Sequence, residues 1–242
     1  MMDLFTAAAL ILVGAGAAFV QRVSGFGLGI MAMLFLPYLS PSQAAAAAVS
    51  CLFSCGTTVY NGIRYRKDVA FRILLPLLAA GLVAIPIGVH CSASVPDRLL
   101  KTLLGAVLIL LSIYFLFFSQ RVHIRPTAVN GLMAGSMSGM LSGLFSTGGP
   151  PAVLYLVHAV ADKQVYFATI QFYFAVTNIY ATGVRVLNGI ITPTVLLYAA
   201  VGLVGCGIGN YFGGRVFEKL DAQRVKQVIY IGMIVSGILM FL

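Results

Sequence analysis

The sequence predicts an all-α polytopic membrane protein built from two related halves, and three observations lead to that prediction. Of its 242 residues, 60% are hydrophobic and only 9% are charged, whereas a soluble domain carries roughly 25% charged residues. The mean hydropathy is +1.01. Apolar stretches recur along the whole chain, and one of them is repeated about half a chain length later. The chain is therefore expected to lie in a lipid bilayer.

Five apolar stretches fall in each half of the chain. They are 4–21, 26–39, 43–63, 69–90 and 99–118, then 127–144, 150–161, 165–186, 192–212 and 225–242. Most can span, because about 20 helical residues cross the hydrocarbon, but the second and seventh are short. A signal peptide begins with a positively charged region, whereas this chain has the acidic Asp3 there, so the first stretch is interpreted as a span that is retained. We predict a single transmembrane domain, residues 1–242.

The internal repeat supports a division into repeat one, 1–121, and repeat two, 122–242. Residues 79–88 read A-A-G-L-V-A-I-P-I-G and residues 200–209 read A-V-G-L-V-G-C-G-I-G, an offset of 121 residues (79 to 200). The same offset pairs Arg64 with Arg185. A duplicated, strongly apolar chain is typical of a transporter whose substrate path runs between two halves.

The distribution of basic residues predicts the orientation in the membrane. Twelve flank the odd-numbered connections: Arg22, Arg64, Arg66, Lys67, Arg72, Arg121, Arg125, Lys163, Arg215, Lys219, Arg224 and Lys226. Three lie on the opposite side: Arg98, Lys101 and Arg185. The positive-inside rule then places the odd connections in the cytoplasm and both termini outside. Because each half has an odd number of spans, five, the second repeat must be inverted in the membrane relative to the first. The compact loops suit a bacterial inner membrane.

Small and helix-breaking residues interrupt the apolar pattern at the short second and seventh stretches. These segments are Q-R-V-S-G-F-G-L-G at 21–29 and S-G-L-F-S-T-G-G-P-P at 142–151. Glycine permits unusual backbone angles, serine and threonine cap helices, and proline suits a first helical turn. A helix that begins within the membrane presents unpaired N–H groups that can bind an anion. The alternative is close helix packing through small residues.

The two interrupted segments carry a resemblance to the TauE/SafE family of sulfite and organosulfonate exporters, which includes permeases of the 4-toluene sulfonate uptake type. The matching stretches are Q-R-V-S-G-F-G in the first half and S-G-L-F-S-T-G-G-P-P-A-V-L-Y-L in the second. The resemblance covers the whole length and implies a polytopic transporter of sulfite, sulfonates or related anions, mostly outward. Arg22 departs from the family pattern, in which a small residue is usual.

We predict a substrate-binding site for one small anion, formed by the two breaks and by polar residues in the spans. The candidates are Arg22, Ser24, Gly25, Phe26, Gly27, Thr147, Gly148, Gly149, Pro150, Gln171 and Asn178. Gln171 and Asn178 lie seven residues apart, on one helix face. A guanidinium at Arg22 can pair bidentately with an oxyanion. The alternatives are interhelical hydrogen bonds for the amides and snorkelling for Arg22, and span-end snorkelling is also the interpretation of Arg64 and Arg185.

Several function classes lack sequence support. The six acids sit at span ends or in connections, which leaves no buried carboxylate for sodium or a proton. The four cysteines lack metal-ligand spacing, and no catalytic motif is present, so we predict no cofactor, no metal and no nucleic-acid partner. The prediction is export of a sulfite-class or organosulfonate-class anion by alternating access. An importer, another permease, a membrane-embedded enzyme or an assembly factor are the alternatives, and a homodimer is compatible with the sequence.

Overall fold

A computed structural model of the protein describes residues 3–118, 125–216, 231 and 233–241, and this part of the chain is helical without strands. The helices are α1 Leu4–Ser24, α2 Leu28–Met33, α3 Leu36–Leu39, α4 Gln43–Arg64, α5 Phe71–Ser94, α6 Asp97–Ile113, α7 Ala128–Phe145, α8 Gly149–Ala159, α9 Lys163–Leu187 and α10 Pro193–Val216. A 3₁₀ turn at Arg66–Asp68 follows α4, a π-helical turn at Tyr114–Phe118 extends α6, and residues 233–239 are helical. The all-α prediction is confirmed.

Four of the described helices are long and apolar enough to cross a bilayer. These are Leu4–Val23, Phe71–Ser94, Asp97–Phe117 and Pro193–Arg215. Helices α4 and α9 reach 22 and 25 residues. Their mean hydropathy is lower because they carry more polar side chains, many of which are buried inside the protein. Of the tenth predicted stretch, 225–242, the structure describes residue 231 and residues 233–241, and 233–239 are helical.

The second predicted stretch, 26–39, forms two short helices rather than one span. Helix α2 has 6 residues and α3 has 4, with a change of direction at Leu34 and Phe35 between them. Pro37 lies in the first turn of α3, where its missing N–H costs nothing.

Three helix pairs organise the bundle: α1 lies along α10, α5 lies along α7, and α4 lies along α9. Glycines bring the first two pairs close together. A Cβ built on Gly205 would overlap the carbonyl oxygen of Ile11 in α1, and one built on Gly139 of α7 would overlap that of Gly81 in α5. Membrane helices approach closely where such small residues replace bulky ones. Part of the duplicated segment, Gly81 and Gly202, therefore serves helix packing.

The α4–α9 pair occupies the interior of the bundle, and large apolar side chains cover its outside. Seven consecutive residues of α4, 45–51, are at most 5% exposed, so this part of the helix is buried on all sides. On the outer helices, Leu4, Leu75 and Val204 are among many exposed apolar side chains. In a bilayer this surface contacts lipid, and the hydroxyl of Ser136, which is exposed in the middle of α7, donates to the carbonyl of Leu132 in its own helix.

Candidate functional site

The first interrupted segment separates α1 from α2 by two glycines in left-handed conformation. Helix α1 ends at Ser24, and Gly25 has φ +81° and donates its N–H to the carbonyl of Gln21 at 2.8 Å. Gly27 precedes α2 with φ +95°. Only glycine adopts these angles without strain, so the two glycines determine where the chain turns.

The second interrupted segment separates α7 from α8. Helix α7 ends at Phe145, and Ser146 takes φ +57°, a left-handed angle that is uncommon for a residue with a side chain. Helix α8 begins at Gly149 with prolines in its first turn. Pro150 and Pro151 have no N–H, so the unpaired backbone donors at the start of α8 are limited to Gly148 and Gly149.

The two breaks are in contact and enclose a cavity between them. A Cβ built on Gly29 would overlap the carbonyl oxygen of Ser146, and one built on Gly149 would lie 3.8 Å from Phe26. The cavity has a volume of about 40 Å³, whereas a single water needs roughly 10–15 Å³. Its lining comprises Gln21, Phe26, Gly27, Leu28, Gly29, Ile30, Ser54, Thr58, Ser138, Ser142, Ser146, Thr147, Gly148, Gly149, Tyr173, Phe174, Thr177 and Asn178.

The wall of this cavity is polar but contains no acidic or basic side chain. Some hydroxyls are already used: Thr58 donates to the carbonyl of Ser54 at 2.7 Å, and Thr177 donates to that of Tyr173 at 2.8 Å. The hydroxyl of Thr147 is different, because it is buried and has no partner in the described part of the chain. An unpaired buried hydroxyl is costly unless a ligand or water satisfies it.

A short hydrogen-bond chain holds the second break in place. Ser138 donates its hydroxyl proton to the carbonyl of Gly148, and Ser138 accepts a hydrogen bond from the hydroxyl of Tyr173 at 2.8 Å. Both side chains are at most 1% exposed. Because Tyr173 lies on α9 and Ser138 on α7, the chain ties the break to the buried interior of the bundle.

The structure brings six of the predicted site residues together at the cavity: Phe26, Gly27, Thr147, Gly148, Gly149 and Asn178. Gly25 lies next to them, and its carbonyl accepts a hydrogen bond from the side-chain amide of Gln171 at 3.4 Å. Ser24 is the last residue of α1, and its side chain lies outside the described part of the structure.

Arg22, Gln171 and Pro150 do not line this cavity. Arg22 and Gln171 border a second, smaller pocket of about 20 Å³. Arg22 is exposed, and the stem of its side chain packs beside Gly213 of α10, because the α1–α10 pairing turns that helix face away from the breaks. Pro150 is buried in the first turn of α8 and borders a separate groove with Pro151.

The interpretation of Arg185 as a snorkelling span-end residue is wrong. Its side chain is 0% exposed, and Nη2 donates to the carbonyls of Ser142 and Gly143, each at 2.9 Å. The cause is the length of α9, which continues to Leu187 and brings Arg185 beside the end of α7, where the carbonyl of Ser142 also accepts the N–H of Ser146 at 2.9 Å. Its repeat mate Arg64 is exposed and donates to the hydroxyl of Tyr60 at 2.7 Å, as expected of a residue at a span end.

Sequence reasoning also missed several hydroxyl-bearing and amide residues of the cavity wall: Gln21, Ser54, Thr58, Ser138, Ser142, Tyr173 and Thr177. A signal was present, because Ser54 with Thr58 and Ser138 with Ser142 are pairs four residues apart. Polar side chains at that spacing share one face of a helix, and within an apolar span they mark a face that is turned toward the interior.

Comparison with known proteins identifies the family of the chain. The model of the sulfite exporter TauE/SafE family matches residues 10–240. A protein of Cupriavidus necator described as a probable sulfite/organosulfonate exporter TauE is 26% identical over 233 residues, which cover 92% of this chain and 89% of that protein. No solved structure was found to match. The chain belongs to the TauE/SafE family of membrane exporters.

Proposed function

We propose that the protein exports a small sulfur-containing anion, of the sulfite or organosulfonate class, across the bacterial inner membrane. The observation that carries the proposal is the cavity between the two helix breaks, whose wall offers hydrogen-bond donors without a fixed charge. Membership in an exporter family and the description of the Cupriavidus necator relative support the same substrate class. The volume of about 40 Å³ favours a compact oxyanion such as sulfite over a long organosulfonate.

Four groups would hold the anion in this cavity: the N–H groups of Gly148 and Gly149, the hydroxyl of Thr147 and the amide of Asn178. A transported ion must bind firmly enough to enter the site and weakly enough to be released. Neutral hydrogen-bond donors meet both requirements, because they bond to the oxygens of the anion without holding it by a fixed opposite charge. Gly25 and Gly27 would shape the opposite wall, where Phe26 is 7% exposed and packs against Phe115 at 5.8 Å between ring centroids.

Transport would proceed by alternating access between two inverted repeats, 1–121 and 122–242, with both termini outside. The packing supports this proposal. If the repeat relates α1 to α7, α5 to α10 and α4 to α9, it relates the contact between α1 and α10 to the contact between α7 and α5. The contact between α4 and α9 is then related to itself. Rocking of one half against the other would expose the cavity to each side in turn. For an anion leaving an inside-negative cell, the membrane potential favours exit by about 2.3 kcal/mol per charge per 100 mV.

The decisive experiment is measurement of current across liposomes that contain the purified protein, on a rapid jump of sulfite or sulfoacetate, with chloride as the control. We expect a saturable current with sulfite that follows an imposed potential. Radiolabelled flux with an outward gradient then gives the direction. Failure of every sulfur anion in both assays would contradict the proposed function, and flux that follows a proton or sodium gradient but ignores the potential would contradict uncoupled export.

A second test addresses the hydroxyl of Thr147. Thr147→Val preserves the shape of the side chain but removes the hydroxyl that has no partner in the described part of the protein. We expect unchanged or slightly higher thermal stability, because an unpaired buried polar group is lost. The KM for sulfite should rise by about 10–150-fold, because a hydrogen bond to a charged group contributes about 1.5–3 kcal/mol. A lower melting temperature with unchanged KM would assign Thr147 to the fold instead.

A further inference from the structure

Arg185 is a buried cation whose hydrogen-bonding capacity is only half used. The guanidinium is 0% exposed, and Nη2 alone bonds to protein, at the carbonyls of Ser142 and Gly143. Nε and Nη1 are buried and contact no acceptor within the described residues. Each of these two nitrogens keeps an N–H group that can donate to an oxygen of an anion, whereas both bidentate edges of the guanidinium include the occupied Nη2.

The described carboxylates are engaged elsewhere. Asp97 accepts from the backbone N–H of Gln43 at 3.0 Å, and Asp68 accepts from the side chain of Gln164 at 3.0 Å. Asp3 and Asp162 cap the starts of α1 and α9. The positive charge of Arg185 therefore lies in the interior without a counter-ion from the described part of the chain. This arrangement is strongly unfavourable unless an anion binds to the guanidinium.

Arg185 continues a row of polar side chains along one face of α9. Gln171, Asn178 and Arg185 are spaced seven residues apart, which is close to two helical turns, and all three are at most 7% exposed. Gln171 borders the small pocket near Arg22, and Asn178 borders the main cavity. Arg185 is bonded to the carbonyl of Ser142, a residue of the cavity wall. The row thus runs from one pocket, past the cavity, to the buried cation.

We propose that Arg185 is an anion-binding station of the transport path, whose positive charge attracts the substrate and at which Nε or Nη1 donates an N–H to a substrate oxygen after the substrate leaves the cavity beside Asn178. This inference rests on the proposed function and adds to it the residue that supplies the positive charge. Along α9 the step from Asn178 to Arg185 is about 10 Å, at 1.5 Å per residue. The hydrogen bonds from Nη2 to α7 keep the guanidinium in place while Nε or Nη1 donates to the anion.

A purely structural role would be to satisfy the last carbonyls of α7, and Arg185→Lys separates the two roles. Lysine retains a positive charge and can donate to the same carbonyls, but its single nitrogen cannot bond to them and also place an N–H where Nε or Nη1 lies. For sulfite flux into liposomes we expect the KM of Arg185→Lys to rise by about ten-fold or more, and the flux of Arg185→Gln to fall by a similar factor. The matched controls are Arg64→Lys and Arg64→Gln, at the repeat-equivalent position, and they should stay within about two-fold of the native protein.

A second variant keeps Arg185 and instead supplies it with a competing carboxylate. Cys51 of α4 is fully buried, and its sulfur lies 3.4 Å from the hydroxyl of Thr182, which precedes Arg185 by three residues and so lies on the same face of α9. Cys51→Asp should pair with the guanidinium and raise the KM for sulfite by about ten-fold, whereas Cys51→Ser should leave it within about two-fold.

The outcomes distinguish this inference from the proposed function. If the native protein moves no sulfur anion, the proposed function fails. If the native protein transports sulfite and both Arg185→Lys and Cys51→Asp keep its KM, Arg185 is a structural cap and the inference fails. If the Arg185 variants do not fold, as judged by size-exclusion chromatography and melting temperature, the comparison of Cys51→Asp with Cys51→Ser decides alone.

Discussion

Replacement of Gly148 with alanine is expected to abolish transport. A Cβ at this position would overlap the carbonyl oxygen of Ser138 and lie 2.8 Å from the Cβ of Ser142. The peptide of Gly148 would have to move away, which breaks the bond from the Ser138 hydroxyl and displaces the two N–H groups proposed to hold the anion. Overpacking of this kind costs about 1–3 kcal/mol, and a displaced binding group costs about ten-fold to a hundred-fold in rate.

The control for this variant is Gly183→Ala, in α9. A Cβ on Gly183 meets nothing within 4 Å, and its backbone is helical. Both proteins should insert into the membrane at native levels, because neither change alters the hydropathy of a span appreciably. Sulfite flux in liposomes should be lost only for Gly148→Ala. Native flux in this variant, at a melting temperature that shows it to be folded, would remove Gly148 from the proposed site.

Replacement of Gly205 with alanine should destabilise the whole bundle. Its Cβ would overlap the carbonyl oxygen of Ile11 and lie within 2.9 Å of two further backbone atoms of α1. Backbone cannot yield locally as a flexible side chain can, so α1 and α10 must separate. We expect a loss of about 1–3 kcal/mol or more in stability, because helix association in membranes depends on close packing of this kind.

Gly207, two residues further along α10, provides a matched control. A Cβ there meets nothing within 4 Å, and alanine raises helix propensity by up to about 1 kcal/mol. The melting temperature of the purified protein in detergent should fall for Gly205→Ala and stay the same or rise for Gly207→Ala. Gly139→Ala, which would overlap the carbonyl of Gly81 at the α5–α7 contact, should repeat the loss. Equal melting temperatures for Gly205→Ala and Gly207→Ala would refute the close-contact explanation.

The role of the duplicated segment illustrates what pattern reasoning can and cannot reach. The repeat at 79–88 and 200–209 was visible in the sequence, and it was interpreted as an indication of a path between two halves. In the structure, Gly81 and Gly202 bring neighbouring helices together: a Cβ on Gly14 of α1 would overlap the carbonyl of Gly202, as one on Gly139 would overlap that of Gly81. A pattern marks a helix face, but the partner of that face depends on how the helices assemble.

Composition and local chemistry determined the class of the protein and the positions of both breaks. A chain with 9% charged residues can satisfy its backbone in a bilayer only as helices or a closed barrel, and the apolar runs have helical length. Gly25, Gly27 and Gly148 lie at helix ends because backbone conformation depends on each residue and its immediate neighbours. Such local rules can be applied without knowledge of the tertiary structure.

Only the tertiary structure decided which polar side chains meet at the cavity. Arg22 and Gln171 border one pocket while Asn178 borders another, and Arg185 is buried although the sequence places it near the end of a span. These outcomes depend on the rotation of α1 and α9 about their axes and on the extension of α9 past the end of α7. Both are set by packing between residues far apart in the chain, such as the glycine contacts of α1 with α10, which no local pattern encodes.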